Sequence, residues 1–545
     1  MSQGLKLGRN SSVFFSGFIA GLVALAFNFL IRLAGLAVFP PEAALGAFLG
    51  IVPASIEEPM VQALGDFAGQ LGLIVATVLA AVVYGLFAVL FDRFLARRLL
   101  SRSISVVESA IVLSLFPWLI FGLVLFPAVG VSIFGSSSPI IPESDIWLLP
   151  FSLLLVQGVF ALLFASRYAR VAPSVVAGTT ASRSLRSKGR RDFIEKGSIA
   201  VLALIAGFIS LTNLPSFASS QIQPSGGSTA IDLQDAPPIF RDPRLQNLVD
   251  SEVTPNGSFY RVAIDIIDPS VDASGWSLKV DGLVNAPKSY SLQDLQNLSQ
   301  ASQYSTFECV SNDIDGPLIS TAKWTGLRMS DLFQDAGGVQ AGANYVVFYS
   351  VDGYSVGIPL SKAMMSDSIL AYTMNDQPLP VGHGYPLRAV IPGLYGMMSA
   401  KWIKEISIVG ATYEGYWQTR GWTNGGTINT GTFIVVPSDM GQVSLQQNNG
   451  SMIVAGFAFG GDRGISKVEV SFDRGQTWQE TQLKQPLSGL TWVLWAYEWQ
   501  NPSPGQHFIY ARATDGAGQT QTSTVAGTFP NGATGYTYTE VYVTD

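Results

Sequence analysis

The chain has 545 residues, a formal net charge of −7 at pH 7, only 13% charged residues and a mean hydropathy of +0.32. These values exclude an ordinary soluble protein. The apolar residues are concentrated before Leu214, and the residues after Pro215 are polar, glycine-rich and aromatic, so the sequence predicts a membrane domain followed by a water-soluble part.

Four apolar stretches in the first part are long enough to cross a hydrocarbon core of about 30 Å. A fifth stretch, Ile199 to Leu211, is shorter and has the length of a signal sequence. Together they predict a membrane domain of about five transmembrane helices over residues 1–215. The four long stretches are Val13 to Phe39, Leu71 to Phe91, Ala110 to Val131, and Ile146 to Ala165.

Lysine and arginine residues precede the first stretch and follow the second and the fourth, whereas the other two connections carry only acidic charged residues. Because basic residues near span ends remain in the cytoplasm, this distribution predicts a cytoplasmic N-terminus. The fifth span then delivers everything after Pro215 to the extracytoplasmic side of the cell membrane.

The segment RRDFIEK, which begins with Arg190 and Arg191, directly precedes the fifth span and resembles a twin-arginine export signal. Arginines that only set the membrane topology are the alternative. Export in the folded state is typical of domains that acquire a cofactor in the cytoplasm, so we expect a cofactor site in the soluble part. Between the membrane domain and the soluble part, residues 216–250 are rich in Ser, Gly, Pro and Gln, which predicts a flexible or extended linker.

Cys309 is the only cysteine, so it cannot form a disulfide within the chain. The letters STFEC predict a strand that ends at this residue, and RMSDLF predicts the start of an amphipathic helix. A buried small hydrophobic residue is one interpretation of Cys309. The other is a thiolate at the end of a strand, which is well placed to bind a soft metal.

Several segments between Phe259 and Trp422 resemble, in collinear order, the molybdenum-cofactor domain of the sulfite oxidase superfamily. They are FECVSNDIDG, AKWTGLRMSDLF, VVFYSVDGYSVGIPL, LAYTMNDQPLPVGHGYPLRAVIPGLYGMMSAKWI and GYWQTRGW. The resemblance implies an α+β molybdopterin-binding oxidoreductase domain over residues 251–430, with oxygen-atom transfer chemistry. It also implies that Cys309 is the protein ligand of molybdenum.

The resemblance further implies which residues contact the pterin cofactor. A phosphate tail needs a fixed cation and close backbone approach, and Arg388 with Gly393 and Gly396 would supply them. The implied cofactor contacts are Asn256, Phe259, Tyr260, Ser350, His383, Arg388, Gly396, Met397, Met398 and Lys401. The implied substrate residues are Arg261, Trp324 and Tyr372.

Sulfite oxidases place an arginine five residues after the ligand cysteine, where this chain has Ile314 between Asp313 and Asp315. Added acids oppose the binding of an oxyanion, so reduction of a neutral S-oxide of the methionine sulfoxide type is an alternative. A metal-free surface-binding protein and a transporter are further alternatives. The near absence of ionisable residues in the apolar stretches argues against transport.

Residues 431–545 contain alternating strands around a tight DRGQ turn, which predicts an all-β sandwich. This section resembles the immunoglobulin-like dimerisation domain of sulfite oxidases and implies a possible homodimer. The predicted fold class is therefore an α-helical membrane domain, then an α+β sulfite-oxidase-like molybdopterin domain, then an all-β immunoglobulin-like sandwich.

The only histidines, His383 and His507, lie outside the apolar stretches. This excludes a transmembrane haem held by paired histidines, and a single cysteine excludes an Fe–S cluster or a CxxCH haem site within the chain. We therefore expect a separate electron-transfer partner, together with a small-molecule substrate and membrane lipid. We expect no nucleic acid partner.

Overall fold

A computed structural model describes residues 2–33, 39–41, 44–45, 66–95, 154, 156–161, 163–164, 233–264, 268–448 and 450–544. The chain divides into two compact units. The first is Met1–Val52, Ala63–Gln221 and Ile264–Ile267, and the second is Pro53–Gln62, Ile222–Ala263 and Asp268–Asp545. The predicted third and fifth spans, residues 110–131 and 199–211, and the arginine pair at 190–191 lie outside the described residues.

The first unit contains two long apolar helices, α1 (Ser2–Leu33) and α2 (Asp66–Leu90), and α2 continues into a π-helical turn, Phe91–Leu95. A Cβ atom on Gly17 would lie 2.4 Å from Ala88 Cβ, so glycine permits the close approach of the two helices. By length and composition alone, Asn10–Arg32 and Leu71–Arg93 could cross a membrane, which weakly suggests membrane association. Helix α1 ends at Leu33, whereas the apolar pattern predicts that the first span continues to Phe39. Of the predicted fourth span, residues 154, 156–161 and 163–164 are described, and they are helical.

The second unit begins with two 3₁₀ turns, Pro238–Arg241 and Pro243–Leu245, and a short helix, α3 (Gln246–Asp250). Phe240, Leu245 and Leu248 are buried. The prediction of a flexible or extended linker up to residue 250 is therefore wrong for residues 238–250. Three apolar side chains spaced along a polar segment are enough to fold it against the domain.

Residues 277–409 form two sheets joined by short helices. The strand orders are β2-β1-β10-β5-β6 and β3-β4-β7-β8, with β9 paired to β7. The Ser291 and Asp294 side chains form a capping box at the start of α4. The predicted strand before Cys309 and the predicted helix at RMSDLF are confirmed as β3 and α5. The bounds are β1 (Ser277–Gly282), β2 (Lys288–Ser291), α4 (Leu292–Gln296), β3 (Gln300–Glu308), β4 (Ile319–Arg328), α5 (Met329–Asp335), β5 (Tyr345–Ser350), β6 (Ser355–Pro359), α6 (Leu360–Ala363), β7 (Ile369–Met374), β8 (Gln377–Pro378), β9 (Arg388–Val390) and β10 (Ile403–Val409).

The C-terminal part consists of two more sheets, with strand orders β11-β13-β17-β16 and β12-β19-β18-β14-β15. Met452 and Trp495 from one sheet and Val470, Ile509 and Val541 from the other share one apolar core, as expected for the predicted sandwich. The bounds are β11 (Gly431–Val436), β12 (Gly441–Ser444), β13 (Ser451–Phe459), β14 (Ile465–Ser471), β15 (Gln479–Glu480), β16 (Gln482–Leu483), β17 (Val493–Gln500), β18 (Gly505–Asp515) and β19 (Thr537–Thr544).

The sandwich braces β3, the strand that directly precedes Cys309. Thr306 on β3 donates its N–H to Leu490 O over 3.0 Å, and Trp492 N donates to Thr306 Oγ1 over 2.9 Å. Nearby, Lys484 Nζ lies 2.8 Å from Glu252 Oε2, and both side chains are almost fully buried. The two hydrogen bonds of Thr306 fix β3 close to its end, and the Lys484–Glu252 pair holds the adjoining part of the sandwich to the segment that precedes β1.

Candidate active site

Cys309 begins the loop between β3 and β4, and only 6% of the residue is exposed. Cys309 N donates to Leu318 O over 2.9 Å, and Asn312 N donates to Cys309 O over 3.0 Å. The Asn312 side chain donates to Glu308 Oε1 and accepts from Leu318 N. The loop therefore holds the sulfur atom at the end of a paired strand.

The Cys309 sulfur atom lies 3.1 Å from Ser311 Oγ. Burial raises the pKa of the thiol, and hydrogen bonding from Ser311 opposes that rise because it favours the thiolate. Within the described residues, no group of three or more His, Cys, Asp or Glu side chains could hold a metal ion. A soft metal bound by Cys309 needs further ligands, and a cofactor can supply them.

Three tyrosines, Tyr260, Tyr354 and Tyr395, lie close enough to Cys309 for a charge on the sulfur to raise their pKa. Burial is the largest cause of the raised pKa in all three, so the hydroxyl groups remain protonated. Burial also raises the pKa of Glu308, the residue before the cysteine, to about 7. The surroundings of the sulfur are thus rich in neutral hydroxyl groups.

Arg388, on β9, is buried beneath two aromatic rings. Its Cζ lies 4.7 Å from the centre of the Phe307 ring and 4.8 Å from that of Trp324, at cation–π distance. Its guanidinium donates to His383 O over 3.1 Å and to Ser399 O over 3.4 Å. Burial lowers the pKa of Arg388 to about 10, which leaves it charged at neutral pH.

A neutral histidine, His383, and two cations, Lys401 and Arg261, lie near Arg388. His383 Nε2 donates to Asn256 O over 2.9 Å, and burial, assisted by Arg388, lowers the pKa of its imidazole to about 3. Lys401 Nζ donates to Gly382 O over 3.2 Å, and burial lowers its pKa to about 7. Arg261 pairs with Asp268 over 2.8 Å and lies within electrostatic reach of His383.

Two glycines, Gly384 and Gly396, allow the backbone to lie close to the side chains of Arg388 and Tyr260. Gly384 has φ +111°, and a Cβ atom there would lie 3.1 Å from Arg388 Cβ. A Cβ atom on Gly396 would lie 2.3 Å from Tyr260 Oη. Gly396 begins the 3₁₀ turn Gly396–Met398, and Met397 O in that turn accepts a hydrogen bond of 2.6 Å from Tyr354 Oη. The backbone of the turn Gly396–Met398 therefore lies directly against the phenol groups of Tyr260 and Tyr354.

The residues present fit the molybdenum cofactor that the resemblance implies. Arg388 and Lys401 are buried cations, and the nearby carboxylates Asp268 and Asp352 offset the charge of Lys401 only in part. Such cations favour an anionic ligand such as a phosphate tail. Ser350 Oγ is buried and has no hydrogen-bond partner among the described residues. A polar ligand would satisfy both features, and Tyr260 lies within electrostatic reach of both Arg388 and the Cys309 thiol.

The structure brings together most, but not all, of the residues expected from the sequence. The Phe259 ring contacts His383, Phe307 and Trp324, with centroids 5.4 Å, 5.9 Å and 5.6 Å away. Trp324 is fully buried against Arg388 and donates from Nε1 to Ser305 O over 3.4 Å, so it packs in the core.

Tyr372 is not brought to the thiol. The neighbouring residue Ala371 pairs with Gly326, and Gly326 pairs with Ala301 near the start of β3. Cys309 follows the other end of β3, about 25 Å away at the rise of an extended strand. The register of the sheet therefore places Tyr372 away from the metal-ligand position.

The expected set missed Tyr354, Tyr395, Asp352 and Gln418. All four are buried, and their letters occur within the segments that carry the resemblance. No spacing rule singles them out, because they come from three separate loops, Asp352 and Tyr354 sharing one of them, that meet only in the folded chain.

Comparison with known proteins identifies two family models in succession. Residues 265–417 match the oxidoreductase molybdopterin binding domain, and residues 425–529 match the Mo-co oxidoreductase dimerisation domain. An uncharacterized oxidoreductase of Bacillus subtilis, YuiH, is 33% identical over 153 residues, which are 28% of this chain and 74% of that protein.

The mitochondrial sulfite oxidase of Rattus norvegicus is 29% identical over 342 residues, which cover 54% of this chain and 62% of the rat protein. The chain thus spans less than two thirds of that relative. The sulfite oxidase of Arabidopsis thaliana is 28% identical over 293 residues, 46% of this chain and 74% of the plant protein. Among solved structures, the sulfane dehydrogenase SoxCD from Paracoccus pantotrophus matches with a TM-score of 0.45 and 22% identity, over 50% of this chain and 75% of that chain.

Proposed function

The chain belongs to the family of oxidoreductases with a molybdopterin-binding domain, and from that premise we propose that it transfers an oxygen atom to or from a sulfur centre. The observation that carries the proposal is the buried Cys309 thiol, held at the end of β3 beside a cluster of buried cations. A thiolate is a suitable ligand for molybdenum, and the cations suit an anionic cofactor tail.

The residues of the chain then have separate roles. Cys309 binds the metal, and the Ser311 hydroxyl donates to its sulfur. Arg388 and Lys401 hold the anionic tail of the cofactor. Tyr260 and Tyr354 remain protonated because burial raises their pKa, so they can donate hydrogen bonds to a polar group near the thiolate. When bound, the cofactor supplies the two-electron oxygen-atom chemistry.

Oxidation of sulfite is the first candidate reaction, because the mammalian and plant relatives are sulfite oxidases. Reduction of a neutral S-oxide is the second candidate reaction. It is favoured by Ile314, which stands where sulfite oxidases have an arginine. Ile314 Cδ1 lies 2.9 Å from the position that a Cβ atom on Gly535 would take, and the next carboxylate, Asp315, accepts a hydrogen bond from Thr537. The loop after Cys309 is thus held by the sandwich and offers no cation for an oxyanion.

We also propose that the enzyme is anchored in the cell membrane, with the catalytic domain on the extracytoplasmic side and electrons exchanged with a separate partner. Two apolar helices support the anchor. The match to a dimerisation domain supports a homodimer. The proposed domains are residues 1–215, 251–430 and 431–545, and the proposed linker between the first two ends before Pro238, since residues 238–250 are folded.

Purification from a host that makes the cofactor tests the proposal. We expect molybdenum and pterin in equal amounts with the protein, and turnover either of sulfite with ferricyanide or of methionine sulfoxide with a reduced viologen dye. Arg261→Gln should raise KM for sulfite more than for the neutral sulfoxide if Arg261 faces the substrate. Purified wild-type protein that contains neither molybdenum nor pterin would overturn the proposed function.

A further inference from the structure

Gln418 begins the 3₁₀ turn Gln418–Arg420, after β10, and is only 6% exposed. Its amide nitrogen faces the turn Gly396–Met398, with Nε2 3.9 Å from Met397 Sδ and 4.0 Å from Met398 Sδ. Nε2 also donates to Thr423 O over 3.4 Å. The amide oxygen, Oε1, is buried and has no hydrogen-bond partner in the described part of the chain.

The orientation of this amide is determined by its neighbours. If the two ends were exchanged, Oε1 would face the carbonyl oxygen of Thr423, and two acceptors would meet without a proton between them. The nitrogen therefore points to Thr423, and the oxygen remains as a buried acceptor. Such an acceptor destabilises a folded protein unless a ligand or a water molecule donates to it.

The turn that Gln418 contacts also lines the candidate cofactor site. Gly396 lies against Tyr260 Oη, and Met397 O accepts from Tyr354 Oη, and both tyrosines lie beside Cys309. We infer that Gln418 Oε1 accepts a hydrogen bond from a ring or amino N–H group of the bound pterin. This inference rests on the proposed function.

The chemistry of the other available ligands supports the pterin as the donor. Sulfite presents only oxygen atoms and a lone pair, and the S=O group of a sulfoxide is an acceptor. Neither presents an N–H group at its sulfur centre to a buried carbonyl oxygen. A pterin ring presents several N–H groups in one plane, which an amide oxygen in a fixed orientation can select.

The inference predicts opposite effects on the two forms of the protein. Gln418→Met keeps the volume of the side chain but removes the acceptor. It also removes the hydrogen bond from Nε2 to Thr423 O, which at 3.4 Å is long and contributes little. In the cofactor-free protein the substitution removes a buried group without a partner, so Tm should rise by about 2–4 °C. In the holoenzyme it removes a hydrogen bond to the pterin, so the affinity for the cofactor should fall about tenfold.

Gln521 provides a matched control, because it is an equally buried amide whose two ends are paired. Its Nε2 donates to Gly535 O over 2.6 Å, and its Oε1 accepts from Thr432 Oγ1 and from Ala513 N, each over 3.1 Å. Gln521→Met should therefore lower Tm of both forms and leave the cofactor affinity unchanged.

The experiment compares full-length wild type, Gln418→Met and Gln521→Met, each purified from a host with and a host without cofactor synthesis. Thermal unfolding gives Tm of both forms, and release of fluorescent pterin during dialysis gives cofactor retention. A higher cofactor-free Tm with weaker retention in Gln418→Met supports the inference. A lower cofactor-free Tm, or unchanged retention, overturns it. These outcomes test the inference only if the wild-type protein contains pterin. Wild-type protein without pterin would instead overturn the proposed function.

Discussion

Replacement of Cys309 by alanine separates the role of a metal ligand from that of a core residue. The substitution removes one buried sulfur atom, comparable in apolar surface to a methylene group, and leaves a small cavity at the end of β3. The expected loss of folding stability is about 1 kcal/mol. For a unit of this size, that corresponds to a decrease in Tm of about 2–4 °C.

The loss of function should be far larger than the loss of stability. Cys309 is the only cysteine in the chain, so no other thiolate can replace it. We expect the variant to fold, to contain molybdenum far below the amount of protein, and to have no activity above that of the cofactor-free enzyme. Elemental analysis, circular dichroism and thermal unfolding, measured on the same preparation, check these three expectations.

Ser311→Ala is the matched control, because it removes the hydroxyl group 3.1 Å from the sulfur atom and keeps the thiolate. It should retain molybdenum and show altered, but not abolished, turnover. If Cys309→Ala keeps both molybdenum and turnover, Cys309 is a buried core residue and the ligand assignment is refuted.

Three further predictions concern export, pH dependence and the brace of β3. Replacing Arg190 and Arg191 together by Lys keeps both charges but not the guanidinium geometry, so the domain after Pro215 should stay in the cytoplasm, protected from protease added to spheroplasts. Burial lowers the pKa of Lys401 to about 7, whereas the pKa of an unfolded lysine is about 10.4, so the unfolded state binds more protons between these values. Urea unfolding should then show that the cofactor-free protein gains stability from about pH 7 to pH 9, and that Lys401→Met removes this gain. Lys484→Met leaves Glu252 buried without its cation and should lower the free energy of unfolding by about 3–5 kcal/mol, measured with urea.

Each of these predictions has an outcome that contradicts it. Digestion of the soluble domain in the double lysine variant, as fast as in wild type, would show that the arginine pair sets only topology. An unchanged pH dependence in Lys401→Met would place the titration elsewhere. For the brace, Lys279→Met is the control, because Lys279 pairs with Asp281 at an exposed site, where water screens the pair, and its removal should lower the free energy of unfolding far less. Equal effects of the two lysine substitutions would refute the importance of burial.

Local sequence patterns correctly predicted the strand and the helix that flank the candidate site. The strand before Cys309 and the helix at RMSDLF follow from local hydrophobic patterns and were found as β3 and α5. His383, Arg388 and Lys401 lie within one short segment, so turns and a short strand are enough to bring them together. The linker was mispredicted up to Asp250, since composition alone does not reveal which scattered apolar residues find a partner surface.

What the sequence by itself determined was the order of an apolar part, a cofactor-binding part and a strand-rich part, together with the identity of Cys309 as the possible soft ligand. Only the tertiary structure decided which side chains meet that thiol. Tyr354, Tyr395 and Gln418 reach the region from separate loops, whereas the sheet register carries Tyr372 away from it. The physical reason is that strand and helix patterns depend on neighbours along the chain, whereas a buried site depends on packing between segments far apart in sequence.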